Sequence, residues 1–293
     1  MDRRHDNPPI DCRFLSETDL PIIHQAFQEA FSDYLITFQL TPAQLERHVA
    51  LNGVDLNYSV GCFDDDRMVG FTMNGFGEWQ EKSTIYDAGT GVVPDYRGRG
   101  LSRKMFDLIF PMCEQRGIEQ CLLEVITKNE PALKLYRDLG FEPVRNLLLF
   151  EIKDLIRTAD GVSDGVEIHE IKTPDWEQLR TFWDGETSWQ NSIDAVRRSR
   201  DVKKILGAYL GGECVGYIIF STNLGRIAQM AVSRDHRCRG IGSALLLAVQ
   251  ENGRESDSIQ VVNVDDSLTD AVQFFFNRGF QEILNQYEMI KAL

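Results

Sequence analysis

Arg97-Gly98-Arg99-Gly100-Leu101-Ser102 and, 140 residues later, Arg237-Cys238-Arg239-Gly240-Ile241-Gly242 are two versions of one phrase. Each is led in by an apolar stretch, Thr90-Gly91-Val92-Val93-Pro94-Asp95-Tyr96 or Met230-Ala231-Val232-Ser233-Arg234-Asp235-His236. Each is followed by a helical pattern. Leu101, Met105, Leu108 and Met112 share one face in the first copy, and Ile241, Leu245 and Val249 in the second. Glycines in such a turn allow positive φ and close backbone approach. Successive backbone N–H groups and the helix start then face an anion. Arginines at 97, 99, 237 and 239 add positive charge there.

Working outward, the whole chain is written twice. Asp66-Arg67-Met68-Val69-Gly70-Phe71 matches Gly212-Glu213-Cys214-Val215-Gly216-Tyr217, at an offset of 146. Leu135-Tyr136-Arg137-Asp138-Leu139-Gly140-Phe141 matches Phe274-Phe275-Phe276-Asn277-Arg278-Gly279-Phe280, at 139. Three landmarks in one order at a domain-sized period indicate a tandem duplication. About six extra residues fall between the first two landmarks of copy one, in Gly75-Phe76-Gly77-Glu78-Trp79-Gln80-Glu81-Lys82. The division expected is a disordered lead over 1–10, a first domain over 11–153, a linker over 154–165 and a second domain over 166–293. The linker is polar, carries Gly161 and Gly165 and lacks periodicity.

Both copies read alike. Helical patterns come first: Asp19 to Phe31 and Thr41 to Leu51, then Asp175 to Trp183 and Ser192 to Arg200. Thr41-Pro42 is an N-cap followed by proline in the first turn. Hairpins turn at Asp64-Asp65-Asp66 and at Gly211-Gly212. The glycine-turn helix follows, with Gly117 and Gly253 as stops, and Pro111 predicts a kink or early end in the first copy. Strands over 121–126 and 259–264, a short helix, and a last strand over 146–152 or 286–290 close each copy. The expected class is α/β, or α+β by some schemes: two tandem domains, each a mixed, mostly antiparallel sheet flanked by helices.

The 293 residues are 43% apolar, enough for two cores, and carry a net charge of −14. That charge disfavours sequence-blind binding to nucleic acid and docking on anionic lipid. No stretch approaches the roughly 18–20 apolar residues of a membrane span. The N-terminus has no apolar core after Arg3 and Arg4, so no secretory signal is read there. Cysteines 12, 62, 113, 121, 214 and 238 are scattered, which predicts free thiols in a reducing cytoplasm. No metal cluster is expected among the five histidines.

With its leading strand, the turn resembles that of the Gcn5-related N-acetyltransferase (GNAT) family, which carries Arg/Gln-x-x-Gly-x-Gly/Ala there. Asn129, Ala132, Tyr136, Gly140 and Phe141 also stand at the family's later Asn–Ala–Tyr–Gly–Phe spacing. The resemblance spans about 11–153 and 166–293. It implies that the turns bind the pyrophosphate of acetyl-coenzyme A through Arg97, Gly98, Arg99, Gly100, Leu101 and Ser102, and through Arg237, Cys238, Arg239, Gly240, Ile241 and Gly242. Val92 and Val93, and Ala231 and Val232, would pair with the pantetheine arm, and Asn129 would join the first site. Ser102 departs mildly from the family's Gly or Ala. The rival reading is a dinucleotide fingerprint, which wants an acid about 20 residues on. Glu124, 24 residues after Gly100, meets the spacing, but the leading arginine and the Asn–Tyr–Gly–Phe block argue against it.

The copies are not chemically equal. Acetyl transfer from a thioester to an amine needs a base, an oxyanion site and a proton for the departing thiolate. Glu124 and Tyr136 match the base and acid of the ribosomal-protein N-terminal acetyltransferases, which this spacing resembles. The offset of 139 puts Asn263, Leu268 and Phe275 where copy one has Glu124, Asn129 and Tyr136. Asp87 and Glu78 are weaker base candidates, and Cys238 is read as merely small. The expected function is acetyl-CoA-dependent N-acetylation of a primary amine on a small molecule, peptide or protein N-terminus. Transfer would be direct, in a ternary complex, with chemistry in copy one. Two alternatives stand beside it: chemistry in copy two, or a non-catalytic acyl-CoA-binding sensor or interaction protein.

Overall fold

Arg67–Trp79 buries Met68 to Gly75 without a break and Lys82–Val92 buries Thr84 to Asp87, as strand segments covered on both faces must. They are the centre of the first of two compact units in the computed structural model, which describes residues 10–34, 39–153, 164–252 and 258–293. Unit 1 comprises residues 1–144 and 288–293, and unit 2 residues 145–287. The expected lead over 1–9, linker residues 154–163 and the helix stop Gly253 lie outside the described residues.

In unit 1, β1 (Asp11–Phe14), β2 (Val60–Asp64), β3 (Arg67–Trp79) and β4 (Lys82–Val92) pair antiparallel in that order. β5 (Gln120–Ile126) adds to β4 in parallel. α1 (Leu20–Ala30) and α2 (Pro42–Asn52) seal Ile23, Phe27 and Leu45 against Phe71 and Met73. Thr41 caps α2 by accepting from the Gln44 N–H, and Gly53 ends it at φ 63°. α3 (Leu101–Gln115) buries Leu101, Met105, Phe106, Ile109 and Cys113. It continues past Pro111 to Gln115, against the expected early end. Its apolar face is long enough for packing to outweigh one lost backbone bond. α4 (Glu130–Asp138) follows β5.

Unit 2 repeats the plan. β7 (Val166–Glu170), β8 (Lys203–Leu210), β9 (Glu213–Ser221) and β10 (Arg226–Val232) pair antiparallel, and β11 (Ile259–Asp265) joins β10 in parallel. The helices are α5 (Trp176–Arg180), α6 (Ile193–Arg198), α7 (Ile241–Glu251) and α8 (Thr269–Asn277). The six extra residues of copy one lengthen its central hairpin. Arg67 to Val92 corresponds to Glu213 to Val232, and the added length lies at the Gln80-Glu81 tip.

Two features differ from the sequence reading. The first concerns the strand that closes each copy. β6 (Glu142–Ile152), which ends copy one, pairs antiparallel with β11 and puts Phe150 and Ile152 into the core of unit 2. β12 (Gln281–Ala292) ends copy two, yet from Glu288 onward it belongs to unit 1, where the Leu293 N–H donates to Glu119 O at 2.9 Å. Each unit is therefore completed by the other repeat's last strand. The second is a disulfide between Cys12 and Cys62, register partners on β1 and β2. This corrects the expectation of free thiols. Scattered positions in the sequence say nothing about adjacency across a strand pair. Cys113, Cys121, Cys214 and Cys238 are free. Among the described residues, no helix is long and apolar enough to cross a membrane.

Candidate active site

β4 and β5 hydrogen-bond only from Thr84↔Gln120 to Asp87↔Leu123. At that point Ala88 is an extra residue on β4, since Asp87 faces Asn74 and Gly89 faces Met73 on β3. A bulge bends its strand and interrupts the ladder. Beyond it, residues 88–92 stay with β3 while the side towards β5 is left open. Val92 closes this run, and Val93, buried, donates its N–H to Val69 O at 3.0 Å.

Four side chains meet at the head of this opening. Tyr86 and Asp87 are consecutive on one strand, so they point to opposite faces. On one face the Tyr86 hydroxyl donates to Glu124 Oε2. On the other, the Tyr136 hydroxyl on α4 donates to Asp87 Oδ2 at 3.3 Å. Glu124 and Tyr136 thus stand on opposite faces of the sheet, where β4 and β5 part. Asp87, 6% exposed, also accepts from the Gly89 N–H at 3.0 Å and the Thr90 hydroxyl at 2.8 Å. Burial pushes its carboxyl up to about 6, against the pull of those hydrogen bonds. Burial first, and the Asp87 charge second, hold the Tyr136 phenol well above its ordinary range, so it keeps its proton at neutral pH.

The sequence reading ranked Asp87 low and did not consider His48. From α2, the His48 Nε2–H donates to the bulge carbonyl, Ala88 O, at 2.8 Å. Asn129 caps α4, its Oδ1 accepting from Ala132 N–H at 3.3 Å, while its Nδ2 donates to the Tyr34 hydroxyl at 3.3 Å. Glu78 lies on the long hairpin and joins none of this.

The glycine turn has the backbone an anion needs. Gly98 and Gly100 adopt φ 73° and 74°, and a Cβ on either would meet nothing within 4 Å. Gly100 is the N-cap of α3 and offers no side-chain cap, which leaves the first-turn N–H groups for an external acceptor. Leu101 is core, so it can contribute only its backbone, and Ser102 is half-buried beside it. The Arg97 side chain does not face the turn's open side. Its guanidinium makes a two-pronged pair with Asp33, both bonds at 2.7 Å, and further bonds to Ala30 O and Val92 O. Arg99 is exposed, over the Tyr96 ring at 4.7 Å.

Unit 2 copies the turn closely. Gly240 caps α7 at φ 74°, and Cys238 takes φ 58° where Gly98 stands in unit 1. Arg237 bonds Val232 O and Phe182 O and pairs with Asp184 at 2.8 Å, as Arg97 does with its own set. Arg239 is exposed, Gly242 half-buried and Ile241 core. Ala231 and Val232 lie on β10 opposite Tyr217 and Gly216. β10 has the same bulge, at Ala228, and leaves β11 after Ile227↔Val261.

The side chains at that opening differ from those of unit 1. The bulge aligns Asp87 with Ile227, fully buried in the core, and Gly89 with Gln229. The Gln229 amide is closed off by Asn191 O at 2.5 Å and the Tyr217 hydroxyl at 2.8 Å. Phe275 packs with Phe150 and Phe280. Asn263 donates to Ser188 and accepts from Gln286. Leu268 replaces the Asn129 cap and gives no side-chain bond.

Comparison with known proteins agrees with both halves. The family description for acetyltransferase (GNAT) proteins matches residues 21–141 and 166–280. A [ribosomal protein bS18]-alanine N-acetyltransferase from Salmonella typhimurium is 31% identical over 127 residues, 43% of this chain and 77% of that protein. Two solved structures show the same fold over nearly the whole chain. One is a GCN5-related N-acetyltransferase from Sphaerobacter thermophilus, with TM-score 0.74, 18% identity, and 97% and 95% of the two chains covered. The other is a tandem GNAT protein from the clavulanic acid biosynthesis pathway, with TM-score 0.74, 12% identity, and 97% and 98% covered.

Proposed function

The chain belongs to the acetyltransferase (GNAT) family and is an acyltransferase; on that premise we propose that it moves an acetyl group from acetyl-coenzyme A directly to a primary amine, in unit 1. The observation that carries this is the parting of β4 and β5 with Glu124 on one face and Tyr136 on the other. An acyl thioester lying in the gap meets a proton acceptor on one side and a proton donor on the other. The Gly98–Ser102 turn fits an anionic pyrophosphate through its positive-φ glycine backbone and the uncapped start of α3. The coenzyme brings the activated acetyl group.

The residues divide the work. Glu124, tied to Tyr86, accepts the amine proton, directly or through a water. Tyr136 gives its proton to the departing sulfur, and burial keeps that proton available at neutral pH. Arg97 acts on the coenzyme indirectly, by clamping the turn to the end of α1 through Asp33. In unit 2, Asn263, Ile227 and Phe275 stand where unit 1 has Glu124, Asp87 and Tyr136 and carry neither carboxylate nor phenol, which supports a supporting role for that copy.

The test is thiol release from acetyl-coenzyme A with added amines. The relative from Salmonella is named for an alanine of ribosomal protein bS18, so the panel starts with an alanine-terminated hexapeptide and adds spermidine and glucosamine. Release that needs an amine and falls with Tyr136→Phe supports the reading. Release that survives Tyr136→Phe but is lost with Gly240→Val moves the chemistry to unit 2. Binding of acetyl-coenzyme A without any release leaves a sensor.

A further inference from the structure

Asp87 is a buried carboxylate whose bonds reach three places. Oδ1 takes the Gly89 N–H just past the β4 bulge, and Oδ2 takes the Thr90 hydroxyl and the Tyr136 hydroxyl of α4. The groups facing it are Tyr136 on α4, Cys121 on β5, Thr72 on β3 and Thr90 on its own strand. None of these is charged at neutral pH. Among the described residues Asp87 makes no ion pair: Lys291 of β12 acts on Cys121, and His48 of α2 bonds the neighbouring Ala88 carbonyl, so burial of the carboxylate is costly.

Unit 2 is an internal control. There the same bulge forms at Ala228 with Ile227 in place of Asp87, and Phe275 stands in place of Tyr136. Acid and phenol are both present or both absent. The bulge and the helix packing survive without them, so neither is needed to build this part of the fold.

We propose that Asp87 is a positioning residue that holds the Tyr136 hydroxyl and the β4 bulge in fixed relation, so that the phenol proton is presented from one place. This rests on the acetyltransferase reading of unit 1. As the transfer proceeds, the amine nitrogen bonds to the acetyl carbon and its proton passes to Glu124, while the S–C bond breaks and the Tyr136 hydroxyl turns its one proton from Asp87 Oδ2 to the sulfur. The phenolate is reprotonated from water, Glu124 returns its proton to solvent, and the Tyr136 hydroxyl re-forms its bond to Asp87. Protonating Asp87 turns Oδ2 from acceptor into donor and releases that bond. The turnover rate of the wild-type chain therefore falls below about pH 6, where Asp87 takes up its proton.

Five chains test this: wild type, Asp87→Asn, Asp87→Ile, Tyr136→Phe and the Asp87→Ile/Tyr136→Phe double variant. Each is measured for melting temperature, acetyl-coenzyme A affinity by calorimetry, and amine-dependent thiol release from pH 5 to 8. Asp87→Ile, the residue unit 2 uses, should fold and bind coenzyme within about threefold of wild type. Its release rate should fall about 100-fold, in the range lost with a general acid. Combining it with Tyr136→Phe should cost no more than either change alone. Asp87→Asn presents one acceptor oxygen and one donor, as the protonated acid does, so at every pH it should release thiol at the low rate wild type shows below about pH 6, with no acid limb. An unchanged release rate in Asp87→Ile, or independent losses in the double variant, overturns the proposal. So does an acid limb that persists in Asp87→Asn. If Asp87→Ile fails to fold, the Asp87→Asn pH profile decides. A wild-type chain that binds coenzyme but releases no thiol is a separate result: it overturns the enzyme reading, and this proposal with it.

Discussion

The glycine turns of units 1 and 2 are nearly superimposable in their bonds, while the openings beside them share almost no chemistry. Arg97 and Arg237 each bridge the strand before the turn, a carbonyl of an earlier segment and an aspartate. Yet Asp87, Glu124 and Tyr136 become Ile227, Asn263 and Phe275. The turn arginine is therefore part of how this fold holds its glycine loop. The groups that vary between copies are those with protons to exchange.

The comparison can be broken most directly at the phenol. Tyr136→Phe should lower amine-dependent thiol release by about 10²- to 10⁴-fold. Phe275→Tyr should restore nothing, because Ile227 offers its hydroxyl no partner. Stability separates the units next. The Cys12–Cys62 disulfide closes a separation of 50 residues in unit 1, and among the described residues unit 2 has no counterpart. Replacing both cysteines with serine should cost unit 1 about 4 kcal/mol and about 10 °C of melting temperature. Calorimetry with and without reductant should show one transition moving and the other still.

A smaller effect should follow pH. The Asp87 carboxyl sits at about 6 in the fold against an ordinary 3.8, so the folded chain binds the proton more tightly than the unfolded one. Stability from this site is thus greatest below about pH 4 and is lost as pH rises through 6, by about 3 kcal/mol. Urea unfolding of Asp87→Asn should lack that decline. Smallest of all, Arg97→Ala and Arg237→Ala should each destabilise their own unit by about 1 kcal/mol, since both guanidinium groups are partly solvent-exposed. Acetyl-coenzyme A affinity should barely change in Arg97→Ala. A loss beyond about tenfold would show that the guanidinium reaches phosphate directly.

The duplication, the hairpins at Asp64–Asp66 and Gly211-Gly212, the glycine turns and the order of helices are all legible in the sequence. They rest on local signals: periodicity, turn residues and spacing. Asp87 was hard to weigh because its meaning depends on Ala88 being bulged, which brings a side chain from β4 under α4. Aligning the repeats through the glycine turn, which sets Asp87 against Ile227, is the signal that would have raised it. Arg97 reads as an anion ligand because its pairing with Asp33 spans 64 residues of chain. The Cys12–Cys62 bond and the exchange of β6 and β12 are likewise long-range pairings, on which local pattern is silent.

That exchange governs how the protein is made. A ribosome delivers the β-strands of unit 1 as far as β5 before residue 130, but the residues from Glu288 that complete that unit emerge only after the whole of unit 2. Until they do, the nascent first half carries an unfinished sheet edge, the kind of surface that invites mispairing. Closing it requires a contact across the intervening unit, which makes folding slow for the chain's size. Cutting the coding sequence at residue 153 to obtain the first repeat alone would remove the strand end that finishes it.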